Sequence, residues 1–247
     1  MLCIMYALLI KEINSFFNSL IGYIAIILFL LVMSGLMWIF RGEMNVLDSG
    51  FSSLSTLFVI APWVFSFLIP AITMRLFSDE KKAGTIELLL TKPLSEFEII
   101  LAKYFAGLLL VLFALLPTLI YYYSVYQLAM PVGNIDSGGF WGSFVGLFFL
   151  AAGFVSIGVF ASSITNNQII SFIVGMFLII MFYIGFDALG NLELFGSFDS
   201  VLTKIGIEYH YISMSRGVLD TRDMVYFLGI IIFFILLTRT VLVSRKW

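Results

Sequence analysis

Residues 75–103 read RLFSDEKKAGTIELLLTKPLSEFEIILAK, the most charged stretch of a 247-residue chain that is 62% hydrophobic and 11% charged. The stretch is punctuated like a pair of helix boundaries. Gly84 breaks an incoming helix, Thr85 can cap a new one, and Glu87 stands in its first turn, where the helix dipole favours an anion. Pro93 stops the new helix after about two turns, because it disfavours helical geometry at Lys92. Ser95 and Glu98 then form a Ser-x-x-Glu capping box that opens the next helix. The expected product is a short helix over 84–93, held between two longer ones. Leu88, Leu89 and Leu90 would pack it, and Glu80, Lys81, Lys82, Glu87 and Lys92 would face a partner.

Working outward, apolar runs occupy residues 54–74 and 104–123 on either side, and 21–40, 140–161, 169–186 and 224–242 beyond. Each approaches the roughly 20 residues that cross a bilayer as a helix. A soluble domain is about half apolar and a quarter charged, whereas the mean hydropathy here is +1.11. The fold class expected is therefore an all-α membrane protein with six transmembrane helices, forming one domain over 1–247 with no room for a soluble one. Residues 5–20 place Leu9, Ile13, Phe16, Phe17 and Leu20 at helical spacing against Lys11, Glu12, Asn14 and Asn18, the pattern of an amphipathic helix lying along the membrane surface. No removable signal is expected ahead of the first span, since Lys11, Glu12 and Asn14 interrupt the N-terminal apolar stretch. Pro62, Pro70 and Pro117 should kink or locally open the second and third spans. The fourth carries Gly153 and Gly158 among small residues suited to close helix packing.

Orientation follows from the basic residues. With the N-terminus inside, nine of the 13 (Lys11, Arg75, Lys81, Lys82, Lys92, Lys103, Arg239, Arg245, Lys246) are cytoplasmic and only Arg41, Lys204, Arg216 and Arg222 lie outside. Both termini are thus expected in the cytoplasm. Trp38, Tyr121, Tyr122, Tyr123, Tyr126 and Trp141 gather at the expected outer ends, where aromatic rings favour the interface. The outer segment 190–223, with few charges and several apolar residues, is expected to be re-entrant or interfacial, and Asp220 or Thr221 to cap the last helix.

Several chemistries are missing. The cores of the six runs hold no charge, Asp187 lying near an outer end, so nothing marks an ion or proton path. No Gly-x-Ser-x-Gly elbow and no phosphate-binding Gly-x-x-x-x-Gly-Lys loop occurs. Cys3 and His210, one of each, offer no disulfide, metal cluster or His-based site, and a net charge of -2 suggests no nucleic-acid surface. No cofactor is expected, and ATP, if used, must be bound with its magnesium by another chain.

The string from Asp79 through Gly84, Thr85, Glu87, Lys92 and Pro93 to Leu94 resembles the Glu-x-x-x-Gly-Thr-x-Glu-x-Leu-Leu-x-x-Pro pattern of type-2 ABC transporter permeases. The ending from Met214 to Asp223 before a last span is similar too. Within that family, Asn45–Asp48, Ala61-Pro62-Trp63, Tyr121–Leu128 and Ala161–Gln168 look like the gliding-motility permeases of Bacteroidota, Leu20 departing where relatives often have Pro. The resemblance implies a permease in the bacterial inner membrane, with 84–93 as the coupling helix. Glu80, Lys81, Lys82, Gly84, Thr85, Glu87, Leu88, Lys92 and Pro93 would then meet a separate cytoplasmic ATPase. It also implies a second permease copy, or a larger permease-like partner with an extracytoplasmic domain. A structural membrane anchor without transport, an ATP-independent carrier and an exporter of another substrate are the alternatives.

Overall fold

The computed structural model describes residues 2–90, 95–192, 196 and 199–244. Lys92, Pro93, Leu94, Phe195, Phe198, Arg245 and Lys246 lie outside the described residues. Among the described residues the fold is all-helical, and six helices are long and apolar enough to cross a membrane, as the sequence leads one to expect: Leu20–Ile39, Ser55–Lys82, Glu96–Leu128, Ser137–Ile164, Gln168–Gly190 and Thr221–Val243.

In chain order, α1 (Leu2–Phe17) turns through Ser19, whose hydroxyl accepts the Gly22 amide at 3.2 Å, into α2 (Leu20–Ser34). A π-helical turn, Gly35–Ile39, completes that span. The second span is α3 (Ser55–Thr73) followed by α4 (Arg75–Lys82), and α5 (Ile86–Leu90) comes after the turn at Gly84. The third is α6 (Glu96–Leu115), a 3-10 turn at Leu116–Thr118 around Pro117, and α7 (Leu119–Leu128). Both halves of the Ser95–Glu98 capping box form, so this helix begins well before the apolar run at 104. The remaining spans are α8 (Ser137–Ile164), α9 (Gln168–Ile180) with a π turn and α10 (Phe186–Gly190), and α13 (Thr221–Val243), capped by Asp220. Between the last two lie α11 (Asp199–Ile205) and α12 (Ile207–Met214).

Helix α8 is the centre of the bundle, packing against α3, α4, α6, α9, α12 and α13. Its small residues permit this. A Cβ at Gly158 would collide with the Thr73 hydroxyl of α3, so glycine sets how closely those two helices approach. The spans built on α2, α9 and α13 leave most of their surface outside the chain.

One expectation is relocated. Helix α3 runs through both Pro62 and Pro70, and the Met74 amide still reaches the Pro70 carbonyl at 2.8 Å. The second span instead breaks at Met74, where Ser162 of α8 is inserted into the helical ladder. Its hydroxyl accepts the Phe77 and Ser78 amides at 2.9 and 3.2 Å and donates to the Met74 carbonyl at 3.0 Å. A side chain that takes over ladder bonds opens a helix without proline.

Candidate functional site

Helix α4 carries the charged motif out of the bundle. Leu76, Phe77, Glu80 and Lys81 recur at i, i+1, i+4 and i+5, which puts them on one face, and all four are buried. The other face leaves Lys82 in the open. Two of the residues expected to meet a partner, Glu80 and Lys81, therefore point into the protein, because helical phase ties them to Leu76 and Phe77.

On one side α4 is held by charge. Lys11 of α1 donates to Glu80 Oε1 at 2.7 Å, and Lys103 of α6 lies 2.9 Å from Glu80 Oε2 and donates to Glu12 Oε1 at 2.8 Å. Lys103 Nζ also donates to the Leu76 carbonyl. Its contact with Glu80 is off-line for a hydrogen bond and counts as an ion pair. The Lys103 side chain has no exposure at all, and those of Glu12 and Glu80 are 10% and 11% exposed. Burial opposes a charge on Lys11, but its bond to Glu80 and the neighbouring Glu12 outweigh that and hold the ammonium above its ordinary pKa. Two ammonium groups and two carboxylates thus balance, Lys103 and the carboxylates in a largely dry setting and Lys11, 58% exposed, at its edge. Removing Lys103 would take the buried cation from both carboxylates, at a cost of up to about 3–5 kcal/mol.

On its other side α4 is held by the junction between α8 and α9. Besides the Ser162 insertion, Lys81 donates to the Ser163 carbonyl, and Gln168 donates to Asp79, which also pairs with Arg75 at 3.1 Å. The sequence pattern puts Glu12 on the polar face of α1 and counts Lys103 among the cytoplasmic basic residues, and it assigns no contact to Ser162 or Gln168.

Beyond α4 the chain turns sharply. The Thr85 amide bonds the Glu80 carbonyl at 3.0 Å and the Gly84 amide the Lys81 carbonyl at 3.3 Å, a Schellman ending that needs a left-handed residue, and Gly84 has φ +67°. The Thr85 carbonyl then accepts the Leu89 amide at 3.1 Å, opening α5. Lys82, Ala83, Gly84, Thr85 and Glu87 are exposed, whereas Ile86 and Leu89 are buried. The result is a polar knuckle fixed to a rigid base.

The opposite end has a second polar cluster. His210 Nδ1 lies 2.8 Å from Asp223 Oδ1 and its Nε2 3.0 Å from the Lys204 carbonyl, while Ser213 donates to the other oxygen of Asp223. A serine bonded to the carboxylate, with the imidazole turned to a backbone carbonyl, is not the Ser–His–Asp order of nucleophilic catalysis. Among the described residues no group of three His, Cys, Asp or Glu could hold a metal ion.

The sequence model of the ABC-2 family transporter proteins matches residues 6–238. The chain belongs to the ABC-2 family. No curated protein matches the sequence. An ABC-2 permease is the membrane subunit of an ABC transporter and has no ATPase site of its own. Of the residues that the resemblance marks in this permease, Lys82, Gly84, Thr85 and Glu87 form the exposed knuckle, Leu88 lies on α5, Glu80 and Lys81 face inward, and Lys92 and Pro93 lie outside the described residues.

Proposed function

We propose that this permease spans a bacterial inner membrane with both termini and the knuckle in the cytoplasm, and that residues 82–87 and α5 dock on a separate ATPase that binds ATP and magnesium. The observation that carries the reading is a polar turn exposed at its tip and locked at its base on both sides, the build expected of a lever pushed from outside. The sequence bias of nine of the 13 basic residues to the N-terminal side of the membrane supports the orientation. Two permease chains, alike or different, would work with two ATPase copies, and closure of the ATPases on ATP would rock the spans.

The substrate branch rests on resemblance alone. On that ground the complex serves gliding motility or its associated secretion, alongside a partner with a large extracytoplasmic domain that this chain's short loops do not supply.

The test is a pull-down through this chain from its native host, with and without Glu87→Arg. The ATPase should accompany the wild-type chain and be lost from the variant at unchanged permease level, since an exposed charge change disturbs folding by only about 0.5 kcal/mol. Full retention by Glu87→Arg refutes the docking surface. Deleting the gene should abolish colony spreading. Normal spreading with sensitivity to a toxic compound moves the protein to an export role, and an ATPase that binds without any stimulated turnover favours an anchor.

A further inference from the structure

The knuckle's base is joined by charge to a helix that the docking reading does not use. Lys11 and Glu12 are neighbours on α1, and each reaches a different partner: Lys11 binds Glu80 of α4 at 2.7 Å, and Glu12 binds Lys103 of α6 at 2.8 Å. Glu12 reaches Lys103 from the packed side of α1, between the buried Leu8 and Phe16. Lys103 in turn touches Glu80 and the Leu76 carbonyl, so the four side chains close a ring around the start of α6.

We propose that Lys11 and Glu12 latch α1 to the lever, so that a displacement of α5 and α4 carries α1 with it and tilts the first span. The source of the displacement rests on the docking reading; the latch does not. Buried ion pairs resist partial separation, because a charge drawn away from its partner without reaching water keeps its desolvation cost and loses its compensation. Glu12 and Lys103 are such a pair, whereas Lys11 binds Glu80 from a half-exposed position, and while both contacts are made α1, α4 and the start of α6 move as one body. Only Asn18 and Ser19 separate α1 from α2, and the Ser19 hydroxyl is bonded to the Gly22 amide. Motion of α1 is thus delivered to the first span with little slack. The lever acts directly on the second span and, through the ring, on the third, which carries Lys103, and on the first.

The test is the charge-neutral pair Lys11→Met with Glu12→Gln, which frees α1 but leaves Lys103 paired with Glu80. Hydrogen exchange of the purified permease should show α1 amides exchanging about tenfold faster than in the wild type, with α4 unchanged. The ATPase should still co-purify, since the exposed knuckle is untouched, while permease-stimulated ATP turnover falls by about tenfold. Lys11→Arg alone should keep wild-type values of both. Unchanged protection of α1 overturns the latch. Faster exchange with full stimulation overturns its part in the lever. If the wild-type chain retains no ATPase, the docking reading fails, and the exchange measurement alone decides the latch.

Discussion

The two ends of the bundle are held together in different ways. At the motif end the long-range contacts include an ionic set, joining the half-exposed Lys11 to Glu80 and the buried Lys103 to Glu12 across 69 and 91 residues of sequence, beside the neutral bonds of Ser162. At the opposite end the ionisable contact, His210 to Asp223, spans only 13 residues and belongs to the short excursion before α13. The long-range bonds there are neutral: the Tyr211 hydroxyl donates to the Phe58 carbonyl at 2.8 Å and the Ser143 hydroxyl to the Ser215 carbonyl at 2.9 Å. A neutral bond to backbone costs little to remake after a small shift. A buried charge drawn from its partner keeps its desolvation cost until another polar group replaces that partner. The difference separates an end built to keep its elements in register from an end that is merely closed.

Lys103→Met should have the largest effect on stability. It leaves the Glu12 and Glu80 carboxylates with only the half-exposed Lys11 as a cation and should lower unfolding free energy by up to about 3–5 kcal/mol. Adding Glu80→Gln and Glu12→Gln should recover most of the loss, because the stranded charges go with the cation. His210→Gln at the opposite end should cost about 1 kcal/mol, the usual worth of a hydrogen bond. Denaturant titration of the purified chain compares them, and similar losses for Lys103→Met and His210→Gln would erase the distinction between the ends.

The charges of the latch were legible in one respect and hidden in another. Glu12 is four residues from both Leu8 and Phe16, Lys103 is four from both Ile99 and Gly107, and Glu80 is four from Leu76, so each interrupts a buried helical stripe. A charge on such a stripe must find a partner. Sequence reading grouped Glu12 with the polar face of α1 and counted Lys103 for orientation, because a single sequence gives no view of partners tens of residues away. The six spans, the Gly84 break and the Ser95 cap were readable because each is signalled within a few residues. Ser162 carried no signal at all. A serine among small residues in an apolar helix looks like packing, and only the fold reveals that a ladder break in α3–α4 receives it.

Ser162→Ala tests that insertion, at a smaller magnitude. The change leaves the Phe77 and Ser78 amides and the Met74 carbonyl without the hydroxyl they share in a fully buried place. The expected loss is about 1–3 kcal/mol, with faster hydrogen exchange confined to residues near the α3–α4 break. A loss spread evenly over the bundle would mean that Ser162 is ordinary packing, and that the register of α4 depends on the charge ring and the Lys81 and Gln168 contacts.

The smallest effect concerns pH, and it separates the ends by sign. Burial, and after it the nearby Asp187 carboxylate, raises the pKa of Glu208 above its ordinary 4.5. The folded chain then binds this proton more tightly than the unfolded one, so in the window opening upward from 4.5 the α12 region gains stability as pH falls, and the gain is complete once pH is below 4.5. Lys11 is raised above 10.5 mainly by Glu80 and Glu12 against burial, so its contribution is fully present below 10.5 and is lost only as pH rises through that higher value. Acidifying from neutrality to about 4.5 should therefore firm the α12 end slightly while leaving the Lys11 contact unchanged. Glu208→Gln should remove the acid-side gain and behave like wild type below about 4.5. Hydrogen exchange at two pH values, corrected for the intrinsic rate, reads α1 and α12 in one experiment. A gain at α12 that persists in Glu208→Gln would assign the titration to another group of the α11–α13 region and leave the ionic end as the only one whose pH response its own pairs explain.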